Sequence, residues 1–187
     1  MTEPIVFLQG RNLTLRPMES SDYTDESLRW LNDPAVNVYS QRRPFPYTRE
    51  SMPLYQKNLE AAGNGYQLAI VETGTGVHVG NIALVNIQSI HRCAEIAILV
   101  GGTGAQGRGI GREAIYLVTR HAFAFHNLHK VFAGTFNPAF VACVEGLGWK
   151  KEGVFRERIW SDGSYHDQIW LGVLREEFRR QPEYEEV

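Results

Sequence analysis

A glycine-rich stretch, Gln106-Gly107-Arg108-Gly109-Ile110-Gly111, carries the residues best suited to binding a ligand. It lies between an apolar run at residues 96–100 and a helical pattern that begins near Ile110. Glycines let the backbone turn tightly and approach a ligand without a Cβ atom in the way. The N–H groups of a helix's first turn have no partner within the helix and lie at the positive end of its dipole. The stretch therefore predicts a binding site for a phosphate or pyrophosphate.

An overlapping segment, Gly102 to Gly107, also matches the G-x-G-x-x-G pattern of dinucleotide-binding Rossmann folds. That interpretation requires a preceding strand, a following helix and, about 20 residues further on, an acidic residue that binds a ribose. The strand and the helix are present, but the next strand, residues 130–136, ends in Asn137 with no carboxylate near it. The segments before the loop also have the pattern of antiparallel hairpins. A Rossmann-type dinucleotide-binding protein is therefore the less favoured interpretation.

Residues 106–111 also fit the pattern [Q/R]-x-x-G-x-[G/A], which resembles the acetyl-CoA loop of the GCN5-related N-acetyltransferases, the GNAT superfamily. The resemblance covers nearly the whole chain, from Leu13 to about Phe178. Further segments resemble the RimJ/RimL-type branch of that superfamily: Trp30 to Pro34, Asn137 with Leu147-Gly148-Trp149 and Glu152-Gly153, and the closing Tyr165-His166-Asp167 and Leu171 to Leu174. Within residues 80–96, two segments also resemble members that acetylate nucleotide-linked amino sugars.

The resemblance implies that acetyl-CoA is the acetyl donor and lies in a V-shaped gap between the strand ending near Gly101 and the strand ending near Asn137. It implies that backbone groups of the first strand bind the pantetheine arm and that one N–H there stabilises the developing oxyanion. Asn137 would hydrogen-bond the pantetheine, and a role as a helix cap is the compatible alternative. The residues expected to bind the cofactor are Ile98, Leu99, Val100, Gly101, Gln106, Gly107, Arg108, Gly109, Ile110, Gly111, Arg112 and Asn137.

Acetyl transfer to an amine needs a base, because a lysine-like amine has a pKa of about 10.4 and is mostly protonated at neutral pH. Glu95 is the first candidate, since it is one of few acids in an apolar strand next to the expected thioester. His91, in the preceding connection, is the second candidate. For each of them, an outward-facing surface position is the alternative interpretation.

The usual proton donor to the leaving thiolate is missing. Related enzymes often use a Ser or a Tyr on the helix after the Asn, and these positions hold Phe140 and Val144 here. Cys143 is nearby, but a buried cysteine more often packs than reacts. Either another group donates the proton, such as Tyr165 or a water, or no dedicated acid exists. A non-catalytic acyl-CoA-binding module is therefore kept as an alternative function.

The acceptor pocket of this fold is built from the first helices and the closing hairpin. Aromatic rings there suit a sugar, a base or a peptide, and arginines pair with phosphate or carboxylate; a place in the core is the alternative for the two tryptophans. The residues expected to contact the acceptor are Trp30, Tyr39, Arg42, Trp160 and Tyr165. We expect direct attack in a ternary complex by a small-molecule or peptide amine, with a nucleotide-linked amino sugar slightly favoured over a protein N-terminus or a small metabolite.

Composition narrows the class of protein. The chain has 187 residues, 43% of them hydrophobic, and a formal net charge of −2, which does not suggest a nucleic-acid binder. Its two cysteines are not spaced as C-x-x-C, which fits a reducing cytoplasm, and the histidines lack a convincing metal-binding spacing. No signal peptide or membrane span is expected. We predict one cytoplasmic domain over residues 1–187, with a core at about 11–178 and a solvated acidic tail at 181–187, as a monomer or homodimer.

The elements that position these residues alternate in a recognisable order. Hydrophobic periodicity and turn residues predict β-α-α-β-β-β-α-β-α-β-β, with a closing hairpin around Asp162-Gly163. The first helix is expected to end at Asp33-Pro34, the second to open at Thr48, and the next strand to span Tyr66 to Glu72. The loop helix is expected at Ile110 to Phe125, with an apolar face made of Ile110, Ala114, Val118, Ala122 and Phe125. The fold class is therefore α/β (α+β), a GNAT fold. Its mixed, mostly antiparallel sheet has about seven strands flanked by about four helices.

Overall fold

The computed structural model describes residues 5–101 and 104–184. The N-terminal four residues, the first two residues of the Gly102–Gly107 pattern and the last three tail residues lie outside the described chain. Within it, eight strands and five α-helices follow one another. They are β1 (Leu8–Gln9), β2 (Leu13–Pro17), α1 (Asp25–Asn32), α2 (Pro34–Asn37), α3 (Met52–Ala62), β3 (Tyr66–Glu72), β4 (His78–Gln88), β5 (Cys93–Val100), α4 (Ile110–Ala124), β6 (Lys130–Thr135), α5 (Pro138–Glu145), β7 (Lys150–Ser161) and β8 (Ser164–Leu174).

The strands form one mixed sheet in the order β1-β2-β3-β4-β5-β6-β8-β7. Neighbouring strands are antiparallel except for β5 and β6, which are parallel and flank the connection through α4. The predicted GNAT fold is confirmed. The two additional elements, β1 and α2, are only two and four residues long, too short to give a periodic pattern in the sequence. Asp33, predicted to end the first helix, also caps α2 by accepting from the Ala35 N–H.

The sheet opens between its two parallel strands. β5 and β6 pair over only three positions, from Cys93 opposite Lys130 to Glu95 opposite Phe132. Beyond Glu95, β5 continues beside β4 and β6 continues beside β8. The two strands therefore diverge, and the gap expected between them is present.

Helix α4 packs across one face of the sheet. Its predicted apolar residues are buried against the largest core cluster, namely Ile110, Ala114, Val118 and Ala122. Phe125, predicted to belong to the same face, is instead 79% exposed. It lies one residue beyond the last helical residue, where it stacks on His121. Leu13, Leu15, Ile70 and Leu84 supply the strand side of this core.

A few boundaries differ from the sequence-based expectation for local reasons. Helix α3 begins at Met52 and not at Thr48, because Thr48 and Ser51 bond each other's backbone N–H groups in a preceding turn. Within the tail predicted at 181–187, two described residues lie against α4: the Gln181 N–H donates to the Tyr116 hydroxyl, and the Tyr184 ring contacts that of Tyr116. Pro182 and Glu183 between them are exposed.

Candidate active site

The glycine-rich loop enters α4 through residues with left-handed backbone angles. Gly107 has a φ of 76° and Gly109, the N-cap residue, has a φ of 81°, which side chains with a Cβ rarely adopt. No described side chain caps α4, and the N–H groups of its first three residues have no carbonyl acceptor within the helix. A Cβ added to either glycine would meet no atom within 4 Å, so the space beside the loop is open. These residues fit the pyrophosphate of CoA.

Two polar side chains anchor this loop to the sheet. Gln106 Nε2 donates to the carbonyl of Val100, at the end of β5, over 3.0 Å. Arg108 Nη1 lies 2.6 Å from Glu72 Oε1, at the end of β3, and this carboxylate is largely buried. The side chains expected to add charge or contacts for the cofactor thus also fix the position of the loop. The backbone N–H groups are the part of the loop left open to an anion.

Two further residues expected to bind the cofactor have side chains at opposite ends of α5: Arg112, which reaches across from α4, and Asn137. Arg112 Nη2 donates to the Gly146 carbonyl over 2.7 Å, a favourable place for a cation at a helix C-terminus. Asn137 caps the other end, since its Oδ1 accepts from the N–H groups of Ala139 at 2.9 Å and Phe140 at 3.4 Å. The Nδ2 group of Asn137 is not used by the cap.

The edge of β5 presents alternate backbone groups to the gap. The Gly101 N–H donates to the Val79 carbonyl, so it points toward β4. Hydrogen-bonding groups of an antiparallel ladder alternate along a strand, so Leu99 also points toward β4, whereas Ile98 and Val100 point the other way, toward the gap. Of the four residues expected to hold the pantetheine, Ile98 and Val100 therefore offer backbone groups there. Gln106 already occupies the Val100 carbonyl.

Glu95 lies at the point where the gap begins. It is opposite Phe132 in the last pair between β5 and β6. The preceding residues of each strand, Ala94 and Val131, are buried on the side of α4, so Glu95 and Phe132 face the opposite side of the sheet, here called the acceptor face. Asn86 Nδ2 donates to Glu95 Oε2 over 3.1 Å. This position lets a carboxylate reach a molecule bound at the mouth of the gap.

His91 lies elsewhere. It is exposed in the connection between β4 and β5 and precedes Glu95 by four residues, or about 13 Å of extended chain. It is also on the side where β5 and β6 are paired, and not on the side where they separate. The structure thus brings Glu95, and not His91, to the start of the gap.

Tyr55 on α3 and the Arg42–Tyr47 pair in the loop before it are further polar and aromatic groups of this region. Burial raises the pKa of the Tyr55 phenol, the charges of Tyr47 and Glu95 raise this pKa further, and the charge of Arg42 opposes the shift. The Arg42 guanidinium lies 5.2 Å from the centre of the Tyr47 ring, a cation–π contact.

The loop between α2 and α3 forms one wall of the acceptor face. The Tyr39 ring meets that of Phe136 edge to face at 5.3 Å, and Phe136 in turn contacts the His166 ring of β8 at 5.5 Å. Arg43 from the same loop pairs with Asp162 at the tip of the closing hairpin. This contact ties the loop to the hairpin, so Tyr39 is held near the end of β6.

Besides Tyr39, three tryptophan and tyrosine residues were expected at the acceptor, and they lie in different environments. Trp30 is 5% exposed and supports the end of β5, since a Cβ added to Gly101 would lie 2.5 Å from it. Trp160 and Tyr165 are exposed and pair with each other across the hairpin at 4.8 Å. Since Tyr165 adjoins His166 in a strand, its ring points to the other face of the sheet. Trp160 and Tyr165 are therefore not brought together with Glu95.

No described group on α5 replaces the missing proton donor. Val144 is fully buried and Phe140 packs against the core. Burial raises the pKa of the Cys143 thiol, although the charge of Arg112 opposes the shift. Cys143 is therefore not activated as a nucleophile, and its thiol is a weaker proton donor than an exposed one.

Sequence reasoning missed Tyr47, Tyr55, Phe136 and His166 on the acceptor face and Glu72 behind the loop. Strand alternation could have found Phe136 and His166. Phe136, just beyond the end of β6, continues the face of Phe132 and Gly134, and His166 shares one face of β8 with Trp170. The register that brings Phe132 opposite Glu95 had no signal in the sequence.

No group of three or more His, Cys, Asp or Glu side chains that could hold a metal lies together in the described part of the chain. Within those residues, no helix is both long and apolar enough to cross a membrane.

A cleft that opens between parallel strands and ends at a glycine-rich helix N-terminus defines a CoA-dependent acyltransferase. The sequence-family model described as the acetyltransferase (GNAT) domain matches residues 12–150, so the chain belongs to this family. It is an N-acetyltransferase that uses acetyl-CoA.

Relatives with assigned names are acetyltransferases as well. The spermidine N(1)-acetyltransferase of Vibrio cholerae is 28% identical over 177 residues, which span 91% of this chain and 98% of that protein. The Escherichia coli protein of the same name is 25% identical over 175 residues, or 90% of this chain and 89% of that protein. The crystal structure of the Vibrio cholerae spermidine N-acetyltransferase in complex with CoA and spermine has a TM-score of 0.79 at 24% identity. It covers 89% of this chain and 97% of that chain, and supports the fold.

Proposed function

We propose that this protein acetylates the primary amine of a small molecule by direct attack in a ternary complex, with Glu95 as the base. The observation that carries this proposal is that Glu95 lies at the last pair between β5 and β6, on the face where Tyr39, Arg42 and Tyr55 line a surface for an acceptor. A ternary complex is favoured over an acetyl-enzyme because burial keeps the thiol of Cys143 protonated.

The proposed reaction assigns a task to each group. The amine nitrogen bonds to the acetyl carbon, the carbon–sulfur bond breaks, and one amine proton passes to Glu95 directly or through a water. The Ile98 N–H, which points into the gap, donates to the developing oxyanion. The leaving thiolate takes its proton from solvent, because Phe140 and Val144 have none to donate.

Three classes of acceptor have support. Likeness to spermidine acetyltransferases supports a polyamine. The sequence motifs within residues 80–96 support a nucleotide-linked amino sugar, and the motifs of the RimJ/RimL-type branch support a protein N-terminus.

The base is tested with Glu95→Gln, assayed by thiol release on a panel of amines. We expect kcat to fall about 10²- to 10⁴-fold, the usual contribution of a positioned base, with the Kd of acetyl-CoA unchanged. Glu60→Gln, at an exposed position of α3, is the matched control and should retain full activity. Full activity of Glu95→Gln would overturn the assignment. Binding of acetyl-CoA without turnover on any amine would instead support a non-catalytic binding module.

A further inference from the structure

Arg42 is an accessible cation on the acceptor face. Its neighbours Arg43 and Arg49 each pair with an aspartate, which satisfies their charge. Arg42 makes no ion pair within the described residues and lies over the Tyr47 ring. Among the described residues the Arg42 side chain donates no hydrogen bond, so its N–H groups are free to bind a ligand. Arg42 is exposed, so a ligand can reach these groups.

The loop that carries Arg42 borders the gap at which the candidate base lies. The ring of Tyr39, three residues before Arg42, meets that of Phe136 at 5.3 Å, just beyond β6, the strand that separates from β5 after Glu95. An amine that approaches Glu95 from this side therefore passes a fixed positive charge. A polyamine brings further positive charges, which a guanidinium repels. An acceptor that carries an anionic group gains charge-assisted hydrogen bonds from the planar fork of N–H groups.

The neighbouring carboxylates do not offset this charge. Asp162 at the hairpin tip pairs with Arg43, and Asp25 pairs with Arg49. Glu95 is needed as a proton acceptor under the proposed function, and it holds a hydrogen bond from Asn86. These three carboxylates are thus already engaged and are not free to bind the additional ammonium groups of a polyamine.

We infer that Arg42 binds an anionic group of the acceptor, a carboxylate or a phosphate, and so selects primary amines that carry such a group over polyamines. The inference rests on the proposed acetyl transfer, whose acceptor class it names. Arg42 is then a specificity-determining residue that touches the acceptor away from its reacting nitrogen.

The test compares amines that differ only in an anion. Glucosamine 6-phosphate is compared with glucosamine, and a dipeptide with a free C-terminus with its C-terminal amide, so the two pairs separate phosphate from carboxylate; spermidine is the polyamine. In at least one pair, kcat/KM should be about tenfold or more higher for the anionic member, as for a hydrogen bond to a charged group. Spermidine should be the poorest acceptor. Preference for spermidine, or equal values in both pairs, would overturn the inference.

Arg42→Gln keeps hydrogen-bonding capacity but removes the charge. It should lower kcat/KM for the anionic amine about 10- to 100-fold while leaving its neutral partner within about twofold. The KM for acetyl-CoA should not change. Arg49→Gln, which removes an exposed arginine already paired with an aspartate, is the matched control and should behave as wild type. An equal loss on both members of the pair would assign Arg42 a structural role and overturn the inference.

Binding separates this inference from the proposed function. Calorimetric titration of the CoA-bound protein with the same pairs measures affinity without turnover. Tighter binding of the anionic member that Arg42→Gln abolishes supports the inference, even if no amine is acetylated and the proposed function fails. Equal binding of both members overturns it, even if acetyl transfer to some amine is observed.

Discussion

At the scale of single residues, the cofactor loop depends on backbone geometry more than on side-chain chemistry. Two of the three glycines that indicated an anion site, Gly107 and Gly109, adopt left-handed angles, because a residue without a Cβ occupies that region at little cost. The residue types of the loop therefore predicted its backbone conformation. They did not predict that Arg108 pairs with Glu72, since that contact joins residues 36 positions apart through the tertiary structure.

Gly109→Ala tests the loop at this scale. Alanine must adopt a φ near 81° at the N-cap of α4, which costs about 1–2 kcal/mol for a residue with a Cβ. We expect that loss in the free energy of unfolding, measured by urea denaturation, together with weaker binding of acetyl-CoA in calorimetry. Gly74→Ala is the control, because Gly74 also has open space but no left-handed angle. Unchanged affinity and stability in Gly109→Ala would contradict the role of this backbone angle.

At the scale of elements, the order of the helices and strands was predictable from the sequence, whereas the register between paired strands was not. Periodicity and turn residues located β3 to its exact ends and α4 to within one residue. The gap arises because β6 leaves β5 after three pairs to follow β8. The point at which β6 exchanges β5 for β8 as its partner depends on side chains from four strands at once. No single segment of the sequence can therefore predict it.

Asn137 allows the cap of α5 to be separated from contact with the cofactor. Asn137→Ala removes the acceptor for two helix N–H groups and should destabilise the protein by about 1 kcal/mol in urea denaturation. Asn137→Asp keeps a good cap and should retain stability, but it replaces the free Nδ2 donor by a carboxylate oxygen. If that donor holds the pantetheine, the affinity for acetyl-CoA falls in both variants. If Asn137→Asp binds acetyl-CoA with normal affinity, the role of Asn137 is limited to capping α5.

At the scale of the whole molecule, the acceptor face is assembled from distant segments. Tyr39 follows α2, Glu95 belongs to β5, and His166 belongs to β8, so more than 120 residues of chain separate the first from the last. The sequence predicted Tyr39, Arg42 and Glu95 because each is an unusual residue in its own segment. Trp160 and Tyr165 were predicted with them but lie on the other face of the sheet, because the face of a hairpin residue follows from its alternation with His166 and from the pairing of β8 with β6.

The far end of the sheet carries a histidine cluster that couples stability to pH. His121 of α4 contacts the rings of Phe7, Tyr66 and His126. Burial lowers the pKa of His121, and the charges of His126 and Arg120 lower it further; burial also lowers the pKa of His126. Each folded-state pKa lies below that of the unfolded chain, so the unfolded chain binds more protons in this range. The stabilisation is complete above the unfolded pKa of about 6.5 and is lost as the pH falls from there toward the folded pKa.

Denaturation in urea at pH 8, 7, 6 and 5 measures this linkage. We expect the free energy of unfolding to decrease between pH 7 and pH 5, and to decrease less in the double variant His121→Gln/His126→Gln, whose side chains do not titrate. His91→Gln, at an exposed position, should follow the wild-type curve and shows whether any histidine has the same effect. A double variant whose stability falls as steeply as that of the wild type would mean that groups outside this cluster carry the pH dependence. A smaller decrease in the double variant would assign the pH dependence to this cluster, where Phe7 packs against His121 of α4.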